Sequence, residues 1–416
     1  MIPFFSILIP TRNRYETLQY AILTVLNQNF QSFELIIADN SDEETVQDYK
    51  LISKNFDDSR IKYCRPSTVL AMSDNYEFAV SQAIGEYIII FGDDDGLVAN
   101  SLEKIFAIIK KTKANIVSWA RVEYSWPDRI PQQYSNLLVI PYVARTGVIN
   151  SKKYIKRIIS YRNDYSDYRY LPMFYNSAIS KNLVKSLKEK TGRVFNAFSP
   201  DIYSGYAFAH LEKEYITIGQ PLSINGVSSK SNGAAQLNED NLKKADFIKL
   251  NSQSTIKWPQ SIPEIPTIYL NIIEPFVQLT SFFPELKKYI SKKKMYKNTI
   301  DNLESVSEND LEEKVKKILA SAENDKPLYK WVVNYLSTRN LKVSLPLQFD
   351  LDNKIGFDGS HLVLDGSKFG LKNVYDVSLF INDLFGNLKS TDYTKPTYLS
   401  LTTRFKKAIA LILKER

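Results

Sequence analysis

A chain of 416 residues, 44% apolar and 24% charged, carries enough hydrophobic material for roughly two or three cored domains, which excludes intrinsic disorder, collagen-like and coiled-coil architecture. One cysteine, Cys64, and two histidines exclude an internal disulfide and a structural zinc site, so any metal has to be hard and oxygen-bound. The 54 basic and 46 acidic residues leave a net charge of +8, a bias toward anions that phosphates satisfy on a small ligand or a lipid, and no nucleic-acid partner is expected.

The opening MIPFFSILIP has no basic leader and no small-residue cleavage site, so it reads as a strand and not as a signal peptide, and export is not expected. From Phe4 to about Ser125, short apolar runs alternate with helix-period segments, which predicts a mostly parallel sheet covered by helices. FSILIP is the first strand, with Leu18, Ile22, Val25 and Leu26 on a helix behind it; FELIIAD is the second, and Ser41 with Glu44 makes a capping box for the next helix. IKYCR and EYIIIF are the third and fourth strands, with a helix over Asn75–Ala83 between them. A further helix over Ser101–Lys111 puts Leu102, Ile105, Phe106 and Ile109 on one face.

Beyond Val139 the pattern is less regular, with helices near Ser151–Ser160 and Tyr203–Glu212 and strands near MFYNSAIS and YITIGQPLSI. Gly226–Asn241 is small and polar, a loop or boundary. Helices are expected from about Leu242 to Thr338, then strands at LQFDL and HLVLDG, a helix over Val377–Leu384 and an amphipathic helix over Leu401–Arg416. The most membrane-like stretch, Ile265–Pro284, is broken by Pro266, Glu274 and Pro275 and reads as core helix; no transmembrane helix is expected.

In such sheets ligands sit beyond the carboxyl ends of the strands, which singles out PTRNR (Pro10–Arg14), DNSD (Asp39–Asp42) and GDDD (Gly92–Asp95). Three adjacent acids repel one another unless a cation lies among them, and a divalent ion shared with substrate phosphates is the usual use of such a site. As a bare pattern the run is also an acidic turn capping the following helix.

Taken in order, FSILIPTRNR, ELIIADNSD and NYEFAVSQAIGEYIIIFGDDD resemble the nucleotide-binding half of family 2 glycosyltransferases. The resemblance covers about residues 1–125, and more loosely 170–230. It implies an α/β GT-A fold, Rossmann-like, with a mostly parallel central sheet flanked by helices, followed here by a mainly helical C-terminal region. It implies that Pro10, Thr11, Arg12 and Arg14 shape the nucleotide pocket, that Asp39 accepts the N3–H of uracil, and that Asp93, with Asp94 beside it, faces the ribose. Asp95 would hold Mn2+ or Mg2+ against the diphosphate, and Asn75 would pack its helix against the nucleotide-sugar. Asp201 in FSPDIYSG matches the acceptor-side base of an inverting transfer, although Pro200 stands where these enzymes more commonly have Glu.

Plainer roles stay open for several of these: a surface charge for Arg14, an ordinary first-turn residue for Asn75, a helix cap for Asp201. NGVSSKSNG (Asn225–Gly233) either wraps diphosphate, with Lys230 adding charge, or links domains; His210 either borders the acceptor or is a satisfied histidine of the core or surface.

The expected protein is a metal-dependent inverting glycosyltransferase, moving a hexose from a nucleotide-diphosphate sugar, UDP-linked, to a hydroxyl of a glycan or lipid-linked acceptor in surface polysaccharide biosynthesis. Residues 1–230 would form the GT-A domain (1–125 nucleotide-sugar binding, 126–230 acceptor side), 231–255 a linker, and 256–416 a mostly helical region without an assigned role. A cytoplasmic location is expected, with peripheral contact to the inner face of the plasma membrane through Lys287–Lys297 and the C-terminal helix. The rivals are a haloacid-dehalogenase-like phosphoryl-transfer enzyme, from the apolar strand before DDDG, and a non-catalytic nucleotide-sugar-binding scaffold. A dinucleotide oxidoreductase is excluded because no G-x-G-x-x-G follows the first strand.

Overall fold

The apolar runs of the N-terminal third become neighbouring parallel strands. β1 (Phe5–Thr11) lies between β2 (Phe33–Asp39) and β4 (Tyr87–Ile90), and β3 (Ile61–Cys64) pairs outside β2. This computed structural model describes residues 2–43, 56–130, 132–141, 143–160, 165–231, 249–265, 267–303, 307–339, 341, 355–357, 361–385 and 397–400. The helix expected from the Ser41–Glu44 capping box onward, the LQFDL strand and the Leu401–Arg416 helix lie outside the described residues.

The strands are apolar on both faces because both faces are covered. Phe5, Ile7 and Ile9 pack with Leu18, Ile22 and Val25 of the Tyr15–Leu26 helix and with Leu102, Ile105 and Ile109 of the Ser101–Thr112 helix. Leu8, Ile36 and Ala38 point the other way, into a core shared with the Met72–Ser81, Pro200–Leu211 and Ile268–Phe282 helices. The C-terminal helices therefore close one face of the parallel part of the sheet.

β5 is the short pair Gly96–Leu97, and β6 (Ile116–Ser125), β7 (Leu137–Pro141), β8 (Val143–Asn150), β9 (Ser177–Ser180) and β10 (Glu214–Val227) follow in the chain. β9 sits antiparallel between β4 and β6, and β10 runs parallel to β6 with its register broken near Pro221. The whole is a mixed sheet, parallel in its β4-β1-β2-β3 part, as expected. MFYNSAIS is a strand only over Ser177–Ser180, since Phe174–Asn176 is a tight 3-10 turn. The helix expected from Tyr203 begins at Pro200, whose missing N–H is no loss in a first turn, so Asp201 belongs to that turn.

The C-terminal half holds helices over Ile268–Phe282, Lys292–Asp301, Glu308–Ala322 and Lys326–Ser337. Its later strands return to the main body: β11 (Gly356–Phe357) pairs with β12 (His361–Asp365), β12 with β7, and β13 (Thr397–Ser400) with β8. No helix among the described residues is long and apolar enough to cross a membrane.

Candidate functional site

The register of the parallel strands brings their carboxyl ends to one edge. Thr11 pairs with Asp39, and β4 ends at Ile90 opposite Leu8, so PTRNR, DNSD and GDDD emerge side by side. β1 leaves the sheet through Asn13, whose φ of +56° is a left-handed value that asparagine tolerates. The Asn13 N–H donates to Ser41 Oγ at 2.8 Å, its Nδ2 donates to Asp42 at 2.7 Å, and Arg12 pairs with Asp42 at 3.3 Å. The first two loops are thus joined before any ligand arrives.

Asp39 is fully buried and well supplied with donors: the Ser41 N–H at 2.9 Å, the Tyr15 hydroxyl at 3.0 Å, the Tyr63 hydroxyl at 2.7 Å and Arg65 Nη1 at 3.4 Å. A base that reaches this carboxylate has to take the place of one of them. Asn75, near the start of the Met72–Ser81 helix, donates its Nδ2 to the Ala38 carbonyl at 3.4 Å, while its buried Oδ1 finds no hydrogen-bond partner among the described residues.

The three consecutive acids are buried, and each faces a different segment. Asp93 accepts from the Thr11 hydroxyl at 2.6 Å and from Arg14 Nη1 at 3.1 Å. Burial raises its pKa against the pull of Arg14; Arg14 itself, although burial opposes its charge, is held protonated by Asp93 and Asp94. Asp94 accepts from the Ser228 hydroxyl at 2.9 Å and from the Ser231 hydroxyl. Asp95 accepts the Gly92 N–H at 2.8 Å and the Gly226 N–H at 2.7 Å, and burial together with the Asp94 charge pushes its pKa up to about 8.

The loop read as either diphosphate wrap or linker therefore closes onto the acids over residues 226–231. Ser229 donates to Asp128 at 2.6 Å and Lys230 pairs with Glu16 at 3.0 Å. Gly226 permits this closure: a Cβ there would lie 1.7 Å from the Asp94 carbonyl oxygen, which also accepts from Trp126 Nε1 at 2.9 Å. Gly226→Ala is expected to destabilise the fold by about 3 kcal/mol, as overpacking does. A denaturant midpoint equal to that of the wild type would contradict a loop closed on the acids.

Asp201 stands in the first turn of the Pro200–Leu211 helix, within electrostatic reach of the same two tyrosines as Asp95. Burial raises its pKa, whereas the Ile202 N–H and the charge of Arg121 favour its ionised form. Both acid sets act on a pair of hydroxyls, Tyr76 and Tyr175, 2.7 Å apart. Tyr76 is buried and Tyr175 half-buried, and desolvation together with the charges of Asp201 and Asp95 keeps both hydroxyls protonated. Arg121, on β6, acts by its charge on both Asp95 and Asp201, and its Nε is buried without a hydrogen-bond partner among the described residues.

The structure thus brings Thr11, Arg14, Asp93, Asp94 and Asp95 together at the strand ends with Pro10, Arg12, Asp39 and Asn75 on the same edge, and sets Asp201 within electrostatic reach of the tyrosines beside them. His210 lies at the far end of its helix, where it pairs with Glu285 at 3.0 Å and meets the Phe283 ring at 4.5 Å. Arg121, Tyr76 and Tyr175 were not singled out from the sequence. Arg121 sits mid-strand outside any motif, and only the fold carries Tyr175 to Tyr76.

No group of three or more His, Cys, Asp or Glu is gathered as a cage for a cation among the described residues. The donor chemistry nevertheless fits one. Asp93 has a guanidinium for its charge, whereas Asp95 is held by two neutral amides, and a hard cation that keeps open positions for phosphate oxygens needs only one or two carboxylates.

The buried acids set a pH dependence. Asp93, Asp95 and Asp201 bind their protons more tightly folded than unfolded, so the metal-free protein should lose stability as pH rises from about 4 toward 8. Thermal midpoints at pH 5.5 and pH 8 test this, with Asp95→Asn expected to flatten the difference; an equally steep fall in the variant would place the effect elsewhere.

Residues 6–177 match the family model for glycosyl transferase family 2. Among curated proteins, the chain is 30% identical over 124 residues to the GalNAc(5)-diNAcBac-PP-undecaprenol beta-1,3-glucosyltransferase of Campylobacter jejuni, covering 29% of this chain and 40% of that protein. It is 27% identical over 112 residues to the Escherichia coli UDP-Glc:alpha-D-GlcNAc-diphosphoundecaprenol beta-1,3-glucosyltransferase WfgD, covering 27% of this chain and 43% of that one. The chain thus spans about two fifths of the length of the curated relatives it matches. Among solved structures, residues 1–349 of S. aureus TarS in complex with UDP-GlcNAc superpose with a TM-score of 0.48 at 13% identity, over 82% of this chain and 93% of that one.

Proposed function

We propose that this chain, whose residues 6–177 belong to glycosyl transferase family 2 with its GT-A fold, is a metal-dependent inverting transferase. It would move a hexose from a UDP-sugar to a hydroxyl of a lipid-linked glycan in surface polysaccharide assembly. The observation that carries the reading is the nearness of two acid sets, the buried Asp93–Asp95 run at the ends of the parallel strands and the single Asp201 at the start of the Pro200–Leu211 helix, whose charges act on the same pair of tyrosines. The family match sets the phosphoryl-transfer alternative aside.

In this reading Pro10, Thr11, Arg12 and Arg14 shape the nucleotide pocket. Thr11 and Arg14 hold the Asp93 carboxylate in place to meet the ribose, with Asp94 fastening the 226–231 loop at its side. Asp39 reads the base once Tyr63 or Arg65 yields, and the free Oδ1 of Asn75 accepts from the donor. Asp95 would hold Mn2+ or Mg2+, which when bound neutralises charge building on the leaving diphosphate. Asp201 takes the proton from the acceptor hydroxyl as its oxygen bonds to the anomeric carbon and the bond from that carbon to the diphosphate breaks. With the base and the leaving diphosphate on opposite faces of the sugar, the configuration would invert. Its raised pKa makes it a stronger base than an exposed aspartate.

The acceptor class is taken from the relatives, whose names specify undecaprenol diphosphate glycans. Work on such an acceptor would be done at the cytoplasmic face of a membrane. Lys292, Lys294 and Lys297 already bond to Asp325, Ser160 and Asp301, so peripheral contact would fall to the exposed Lys287, Lys288 and Lys293.

Calorimetric titration of UDP, GDP and dTDP, with Mn2+ and again with a chelator, tests the reading. Metal-dependent preference for UDP is expected. Binding of none of the three under either condition would overturn it.

A further inference from the structure

Two hydroxyls at the site carry two protons and make one hydrogen bond. Tyr76 and Tyr175 meet oxygen to oxygen at 2.7 Å, which uses a single O–H, and neither hydroxyl has a further hydrogen-bond partner among the described residues. Whichever ring donates, the pair keeps one O–H to give. Tyr76 is 6% exposed and Tyr175 half-buried, so that remaining O–H is costly to bury unless an oxygen accepts it.

Each ring is fastened to a different part of the site. Tyr76 follows Asn75 on the Met72–Ser81 helix, and its ring meets the Phe195 ring edge-on, 5.6 Å between centroids. Ser73, from the same helix, donates to the Ala197 carbonyl at 2.6 Å, so both contacts fall on the segment that leads into Asp201. Tyr175 lies in the Phe174–Asn176 turn. Its carbonyl accepts from the Ser223 hydroxyl at 3.1 Å, which itself accepts from Trp119 Nε1 at 2.9 Å. Ser223 is on β10, the strand whose Gly226 N–H donates to Asp95 at 2.7 Å. The hydroxyl pair thus joins a helix packed on the Asp201 lead-in to a turn fastened on the strand that holds Asp95. The charges of both carboxylates reach both hydroxyls.

In the reading above, the transferred sugar sits between the diphosphate at Asp95 and the base Asp201. A hexose there presents neutral hydroxyls, each able to accept a hydrogen bond and to give one, and the pair answers with an O–H to give and lone pairs to accept. Asn75, the preceding residue, adds a buried Oδ1 without a hydrogen-bond partner among the described residues, an acceptor beside that donor. We propose that the Tyr76–Tyr175 pair binds a ring hydroxyl of the transferred hexose and so helps to set which nucleotide-sugar is used. This role rests on the transferase reading, since it needs the sugar to lie between Asp95 and Asp201.

Calorimetric titration of the full chain with UDP, UDP-glucose and UDP-GlcNAc, each with Mn2+, tests the role. Tyr175→Phe and Tyr76→Phe should each weaken the tighter-binding nucleotide-sugar roughly three- to tenfold, the range of one neutral hydrogen bond, while UDP affinity stays within about twofold. Each single variant leaves its partner hydroxyl alone; if neither folds, the double variant, which removes both hydroxyls, carries the test. It should lose about as much as the more affected single variant, because the two hydroxyls act as a unit. Monodeoxy analogues of the same nucleotide-sugar identify the hydroxyl. One of them should bind the wild type as weakly as the parent binds Tyr175→Phe, and Tyr175→Phe should not distinguish it from the parent. Nucleotide-sugar affinity equal to wild type in the folded variants, or an equal loss for UDP, overturns the role while leaving the transferase reading intact. Unchanged donor affinity with a raised KM for a synthetic undecaprenyl-diphosphate-linked GlcNAc overturns it too, placing the pair on the acceptor. A wild-type protein that binds neither UDP nor either nucleotide-sugar overturns the transferase reading and the role together.

Discussion

Asp201→Asn is expected to lower turnover by roughly two to four orders of magnitude, the range that removal of a positioned base produces, while UDP binds as tightly as to the wild type. The split follows from where the residue sits. Asp201 belongs to the first turn of its own helix, and its carboxylate is steadied by the Ile202 N–H, so the amide of asparagine fits the same place. None of the contacts that hold Asp93, Asp94 or Asp95 comes from Asp201: they come from Thr11, Arg14, Ser228, Ser231, Gly92 and Gly226. Loss of the Asp201 charge should therefore leave the contacts of the three acids undisturbed. Steady-state turnover beside calorimetric affinity measures both halves of the expectation. If affinity falls together with turnover, Asp201 supports the donor site and the base lies elsewhere.

What made the site readable was continuity in the chain. PTRNR, DNSD and GDDD each follow directly on a buried strand, and the rule that ligands gather beyond parallel strand ends needs only the strand order to join them. Asp201 stands out from the sequence only by resemblance, as a Pro-Asp pair after a Phe-Ser loop, because the periodicity places its helix from Tyr203 and the structure begins it at Pro200. The rest depends on long-range pairing, which leaves no local pattern. Ser228 and Ser231 read as loop residues until β10 lies along β6 and carries them to Asp94. Arg121 occupies a strand position like its neighbours, and its importance comes from two acids distant in sequence. The same holds for the C-terminal half, where helical periodicity was plain, yet the return of β12 to β7 and of β13 to β8 is set by registers that periodicity does not encode.

Asp95→Asn carries the second large effect, and its direction can be worked out from the two states of the group. In the metal-free fold the carboxyl is buried, and its pKa stands near 8, so at neutral pH a proton competes with any cation for it. Cation affinity should therefore rise with pH up to about 8 and level off above it, because binding has to displace that proton. In the wild type, Mn2+ with UDP should raise the thermal midpoint; a ligand at about 100 times its Kd stabilises the fold by about 2.7 kcal/mol. Asparagine offers one acceptor where the carboxylate offers two, so either the Gly92 or the Gly226 N–H loses a partner, but the buried charge is also gone and the metal-free fold should remain close to wild-type stability. What disappears is the metal-dependent increment, together with its pH dependence. Thermal unfolding with Mn2+ and UDP, at pH 6 and pH 8, measures both without requiring an acceptor or turnover. A variant that keeps the full metal-dependent shift would move the cation to another carboxylate, and Asp94, already tied to two serines, would be the next to test.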